Sequence, residues 1–178
     1  MTQQNEGQQF DRLPAVDADR LVPDRATRQE VLAYFHDRFG IPVQTFESYT
    51  FWEKGKGKIW AFHGAMPSPI RVEALGIHLL RTRQLFWKPT TDGMQVFGDY
   101  ATKNTIVVAP DGAAAFWNGE SQSVNANADD GYVIVTQELL ETPVTLGVGL
   151  YLDGELRSVV PKSRQRAVAS LSTTDKHA

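Results

Sequence analysis

Residues 146–166 read LGVGLYLDGELRSVVPKSRQR: two apolar runs around Asp153-Gly154, then a basic tail. Asp-Gly is a strong two-residue hairpin signal, because both residues tolerate the positive φ that a type I′ turn requires. Leu146–Leu152 and Leu156–Val160 are therefore expected to be paired strands. Upstream, Tyr132–Thr136 and Thr105–Ala109 are short β-branched runs, the second stopped by Pro110-Asp111-Gly112. Such strands, closely spaced and joined by tight turns, point to a small barrel.

Further toward the N-terminus, Phe46–Trp52 and Lys58–Phe62 are joined by Glu53-Lys54-Gly55-Lys56-Gly57 and predict another hairpin. Val72–Leu80 reads as a strand bent or closely approached at Gly76. Lys88-Pro89-Thr90-Thr91-Asp92-Gly93 reads as turn chemistry, Ser121–Asp130 as a polar loop, and Ala113–Asn118 as one or two helical turns. The principal helix starts at a capping box, Thr27-Arg28-Gln29-Glu30, and carries Val31, Leu32, Phe35 and Phe39 at helical spacing before Gly40 stops it. The expected fold class is α+β: a small mixed β-barrel preceded by a helix and β-hairpin. Expected boundaries are a loosely docked lead-in over 1–24, a small N-terminal region over 25–66, the barrel over 67–168 and a flexible tail over 169–178.

The 178 residues suffice for one domain with a true core. No apolar run is long enough to span a membrane, and MTQQNEGQQFDR lacks the apolar stretch of a secretory signal, so a cytoplasmic protein is expected. The absence of cysteine removes disulfides, thiolate metal sites and cysteine nucleophiles. His36, His63, His78 and His177 form no helical i, i+4 pair, so neither metal nor cofactor is expected. There is no Gly-x-Ser-x-Gly elbow and no phosphate-binding loop ahead of a helix, and Gly147-Val148-Gly149 lacks the remainder of a dinucleotide fingerprint. Catalysis has no positive signal.

The net charge of −3 conceals a strong pattern. Residues 54–103 are net +5, residues 104–156 net −8 without a single basic residue, and residues 157–166 net +4. Two basic segments can fold onto one face of an acidic body. Arg81, Arg83, Trp87 and Lys88 fall close together, and aromatic faces beside Arg and Lys suit stacking of bases and neutralisation of phosphate. Most of the aromatics are nevertheless expected in the core. The 54–58 turn reads first as a solvated tip; its amines also suit phosphate contacts.

Two stretches resemble a known family. Pro143-Val144-Thr145-Leu146-Gly147-Val148-Gly149-Leu150-Tyr151 through Gly154 to Arg164 is similar to the closing hairpin of the PUA-like RNA-binding domains of Nop/Sun-family RNA cytosine-5 methyltransferases. Leu75-Gly76-Ile77 through Trp87-Lys88-Pro89-Thr90, and Phe97-Gly98 through Thr102-Lys103-Asn104, resemble the first half of such folds. The resemblance implies a stand-alone protein of archaeal type that lacks the catalytic domain and binds structured RNA, tRNA or rRNA, in modification or maturation. It implies no methyl transfer, since that mechanism needs a cysteine. A separate RNA-modifying enzyme is a possible partner. The expected RNA-binding face comprises Arg71, Arg81, Arg83, Trp87, Lys88 and Lys103 together with Arg157, Lys162, Arg164 and Arg166. The alternative is a protein-interaction or assembly module, in which the acidic segment Asp111–Glu155 meets a basic partner.

Overall fold

A computed structural model describes residues 8–165. Its first strand, β1 (Gln8–Arg12), falls where a loose lead-in is expected. Only Phe10 in QQFDR is fully buried, so the sequence carries little strand period. Pairing on both sides makes the strand: β1 lies between β2 (Tyr49–Lys54) and β4 (Ile70–Val72). The helix α1 (Arg28–Phe39) forms as its signals predict. Thr27 Oγ1 accepts from Glu30 N, the Glu30 carboxylate accepts from Thr27 N, and Gly40 ends the helix at φ 65°.

The expected first hairpin pairs β2 with β3 (Lys58–His63), with Trp52 opposite Trp60. Its turn is held from below. Buried Glu53 accepts from Gly57 N at 2.7 Å and reaches Arg25 Nε at 2.6 Å. Val72–Leu80 is not one strand: β4 ends at Val72, and β5 (Ile77–Arg81) begins after Gly76. At Gly76, φ is 63° and a Cβ would sit 2.0 Å from the Ala61 carbonyl oxygen, so the sheet admits only glycine there. The supposed turn at 88–93 is the strand β6 (Lys88–Pro89) followed by helix α2 (Thr91–Phe97), which Thr90 caps by accepting from Gly93 N.

These strands form an antiparallel sheet in the order β4-β1-β2-β3-β5-β6. The second sheet contains β7 (Thr105–Val108), β8 (Gln122–Ser123), β9 (Gly131–Leu139), β10 (Thr142–Leu152) and β11 (Glu155–Ser158), ordered β7-β9-β10-β11-β8. Only the β7–β9 pair is parallel, with α3 (Pro110–Trp117) in the connection between them. Asp153 and Gly154 take φ 49° and 80° in the expected closing hairpin. The architecture is α+β with two sheets. The break between them falls between Pro89 and Thr105, not at residue 66, because β4 pairs with β1, β5 with β3, and β6 with β5.

Alternation along β9 joins the sheets. Ile134 enters a core with Phe35, Phe39, Phe46, Phe51, Met94, Phe97 and Val148, whereas Val133 and Val135 pack beneath α3 with Phe116 and Leu156. Phe46 is the hub of the shared core, 4.7 Å from Phe97 and 5.4 Å from Phe35 between ring centroids. A Cβ on Gly147 would approach Thr91 Oγ1 to 2.8 Å, so that glycine lets α2 lie directly on β10. Phe10, Trp52 and Leu75 pack with Trp60 on the outer side of the first sheet.

Candidate nucleic-acid interface

Strand register builds the site. Lys54 stands opposite Lys58, Lys58 opposite Arg81, and Arg81 opposite Lys88, so four cations form one row across β2, β3, β5 and β6. Like charges directly opposite each other destabilise a sheet. Among the described residues none of the four has an ion-pair partner. Lys54 Nζ instead lies 5.3 Å from the Trp60 ring centroid, and Lys88 Nζ 5.9 Å from that of Tyr132.

At the β6 end the row opens into a cleft of about 310 Å³ lined by His78, Arg81, Lys88, Thr90, Asp92 and Arg164, among others. The two basic segments of the sequence meet here. Arg164 arrives from the chain after Pro161 and pairs with Asp92 at the start of α2. His78 stacks on Trp60 with ring centroids 5.0 Å apart, and its buried Nε2 has no hydrogen-bond partner. Burial, with Arg81 and Lys58 nearby, pushes the His78 imidazole down to about 4, so it is neutral near pH 7. Burial and Arg81 likewise lower the pKa of the Lys88 ammonium. Burial is the larger cause of both shifts, and the neighbouring cations add to it.

Next to Lys88, Trp87 opens onto a separate, mostly apolar cavity of about 530 Å³, with Tyr34, Phe86, Tyr132 and Leu150 in its walls. Tyr34 Oη donates to the Trp87 carbonyl at 3.0 Å, fixing the tryptophan backbone to α1. A larger groove of about 660 Å³ runs along the other side of α1. Its one arginine, Arg28, is committed to the carbonyls of Phe46 and Tyr49.

Of the expected interface residues, Arg81, Lys88 and Arg164 line the cleft and Trp87 borders it. Arg83 is exposed beside the first hairpin, its side chain against Gly57. Arg157 shares a sheet face with Leu150 but is paired with Glu155 at 3.3 Å. Lys162 is exposed on the turn ahead of Arg164 and does not line the cleft. Two residues do not join the others. Arg71 lies on β4, the opposite edge of the sheet from β6, and Lys103 donates to the Asp37 carbonyl at the end of α1. Linear proximity and charge alone cannot separate these from the cleft residues. Arg166 lies outside the described residues.

Sequence reasoning overlooked His78, Tyr34 and Tyr132 as site residues, and treated Lys54 and Lys58 chiefly as a solvated tip. The symmetric spacing of those two lysines about the turn was the available signal, since a tight hairpin sets them face to face. Among the described residues no group of three or more His, Asp or Glu could hold a metal ion, and no helix is long and apolar enough to cross a membrane.

No curated protein matches the chain. Residues 1–76 match the model of a family of unknown function, DUF7122. That similarity covers β1, α1, the first hairpin and β4, and stops just before the strand that carries His78 and Arg81.

Proposed function

We infer that the protein is a PUA-like RNA-binding module, acting in the cytoplasm on tRNA or rRNA as a non-catalytic partner of RNA modification or maturation. One observation carries this reading: the row Lys54, Lys58, Arg81 and Lys88, directly paired across four strands without a carboxylate among them and extended by Arg164. A sheet gains nothing from this arrangement. A phosphate backbone laid along it gains several contacts at once. Trp87 and Tyr132 beside the row supply aromatic faces of the kind that hold unpaired bases.

Titration with a structured RNA at two salt concentrations tests the reading. Four phosphate contacts, from Lys54, Lys58, Arg81 and Lys88, correspond to a loss of affinity by a factor on the order of a hundred between about 50 and 200 mM salt. Reversing Arg81 and Lys88 to Glu should weaken binding and lower the salt slope by about two. Salt-independent affinity, or none, rejects the proposal.

A second reading has its own support. The tip of the β9–β10 hairpin exposes Leu139 and Leu140 between Glu138 and Glu141, with Leu140 entirely solvent-exposed and Val144 exposed just beyond. An acidic, apolar finger suits a basic protein partner in an assembly. Co-purification that survives nuclease treatment, and is lost when Leu139 and Leu140 become Ser, would favour it over RNA.

A further inference from the structure

The aromatic cavity beside the cationic row has no role in phosphate binding, yet its walls are arranged in detail. Trp87 and Tyr34 meet at 5.5 Å between centroids with a 50° tilt and form a corner of the cavity wall, with Tyr34 backed by Phe35 and Phe39. Tyr132 closes another side. Its backbone is anchored by Arg38, whose Nε and Nη2 donate to the Tyr132 carbonyl at 3.0 and 2.8 Å. Phe86 lines the cavity while remaining 71% exposed, a large apolar side chain left in water on the segment between β5 and β6. The cavity and the cationic cleft are separate but adjacent: consecutive residues, Trp87 and Lys88, line one each, and Lys88 Nζ reaches to 5.9 Å from the Tyr132 ring centroid.

We propose that this cavity is a slot for one unpaired nucleobase of an RNA strand whose phosphates lie on Lys88, Arg81 and Arg164. Charge decides among the ligands an aromatic pocket can take. A quaternary ammonium or methylated lysine also favours such walls; the Asp130 carboxylate in the lining offsets the Arg38 guanidinium, and the charge that disfavours a cation is the Lys88 ammonium at the Tyr132 ring. A neutral aromatic ring tethered to an anion satisfies the walls and the cleft together, and that combination is a nucleotide. Phe86, exposed at the mouth, is placed to close on the inserted base as a second stacking face. The slot rests on the RNA-binding reading and narrows it: recognition requires an unpaired residue, so a blunt duplex cannot use it.

The test uses the full chain with a single-stranded RNA hexanucleotide and a blunt RNA duplex of equal length, read by anisotropy across a salt series. The hexanucleotide should bind more tightly than the duplex. Phe86→Ala removes an exposed side chain, leaves the fold intact and should weaken hexanucleotide binding about tenfold, within the range for a lost base–aromatic stack. Its salt slope should not change, because no charge is removed. Trp87→Phe should remove most of the tryptophan fluorescence quenching seen on binding. Equal affinity for duplex and single strand, or wild-type affinity in Phe86→Ala while the Glu substitutions at Arg81 and Lys88 abolish binding, overturns the slot and leaves the RNA-binding reading standing. No binding of either RNA by the wild-type chain removes both.

Discussion

The first sheet, from Gln8 to Pro89, and the second, from Thr105 to Ser158, share a core yet treat charge in opposite ways. On the first, Lys54, Lys58, Arg81 and Lys88 stand directly opposite one another among aromatic side chains, with no ion-pair partner among the described residues. On the second, the one strand-borne cation, Arg157, is paired with Glu155, and the remaining formal charge of the 104–156 segment is acidic. The interiors differ too: aromatic around Phe46, mainly aliphatic beneath α3. The contrast shows that net charge describes neither half of this molecule. A concentrated positive row on an otherwise acidic body makes a strong local field, which orients an anionic strand more effectively than evenly spread charge would.

The comparison breaks most readily at the shared core. Phe46→Ala should cost about 3–5 kcal/mol, the usual range for losing a fully buried phenylalanine. Urea unfolding followed by circular dichroism and by tryptophan fluorescence should still give coincident transitions, because Ile134 and Val148 bind the second sheet to the first. Separate transitions would make the sheets independent units. Next in size is the cationic row. Replacing Arg81 and Lys88 by Glu should reduce RNA affinity on the order of a hundredfold, while replacing Lys103 and Arg71 by Glu should change it less than threefold. Equal losses in both pairs would dissolve the distinction between the row and the remaining basic surface.

His78 provides a smaller effect. Its folded pKa of about 4 lies below the ordinary histidine value. Between about pH 6.5 and 4 the unfolded chain therefore takes up a proton that the folded chain refuses, and stability falls as pH drops through this window. The side chain is partly solvated, so the loss is about 1 kcal/mol by pH 5. His78→Gln should flatten the difference in urea midpoint between pH 7 and pH 5; an unchanged difference would mean that the histidine is not held neutral. The smallest effect belongs to the acidic sheet. Leu140 and Glu141 occupy the β9–β10 turn at φ 48° and 65°, where Asn-Gly is strongly preferred. Leu140→Asn with Glu141→Gly should raise stability by about 0.5–1 kcal/mol, measured as melting temperature, and leave RNA affinity untouched.

Legibility in the sequence followed how local each cause was. The capping box at Thr27, the stop at Gly40 and the Asp153-Gly154 turn are set by neighbours within four residues, and each formed as read. The lead-in strand and α2 were not legible. QQFDR becomes β1 only because two strands distant in sequence, β2 and β4, pair with its edges. Thr-Asp-Gly-Met-Gln-Val-Phe has poor helix propensity and is too short to be helical alone, so burial of Met94 and Phe97 must hold it. The site divides likewise: Arg81, Trp87 and Lys88 could be picked out by proximity, whereas the aromatic cavity combines side chains from α1, the segment ahead of β6, β9 and β10.

By itself, then, the sequence determined the helix, the tight hairpins, the α+β class and the segregation of charge into alternating blocks, all consequences of short-range geometry and composition. Tertiary structure alone decided which cations meet. Strand register is a long-range property, and a one-residue slip would carry an entire strand's side chains to the opposite face. It is the register of β2, β3, β5 and β6 that turns scattered lysines and an arginine into a row, and the return of the chain after Pro161 that adds Arg164 to its end.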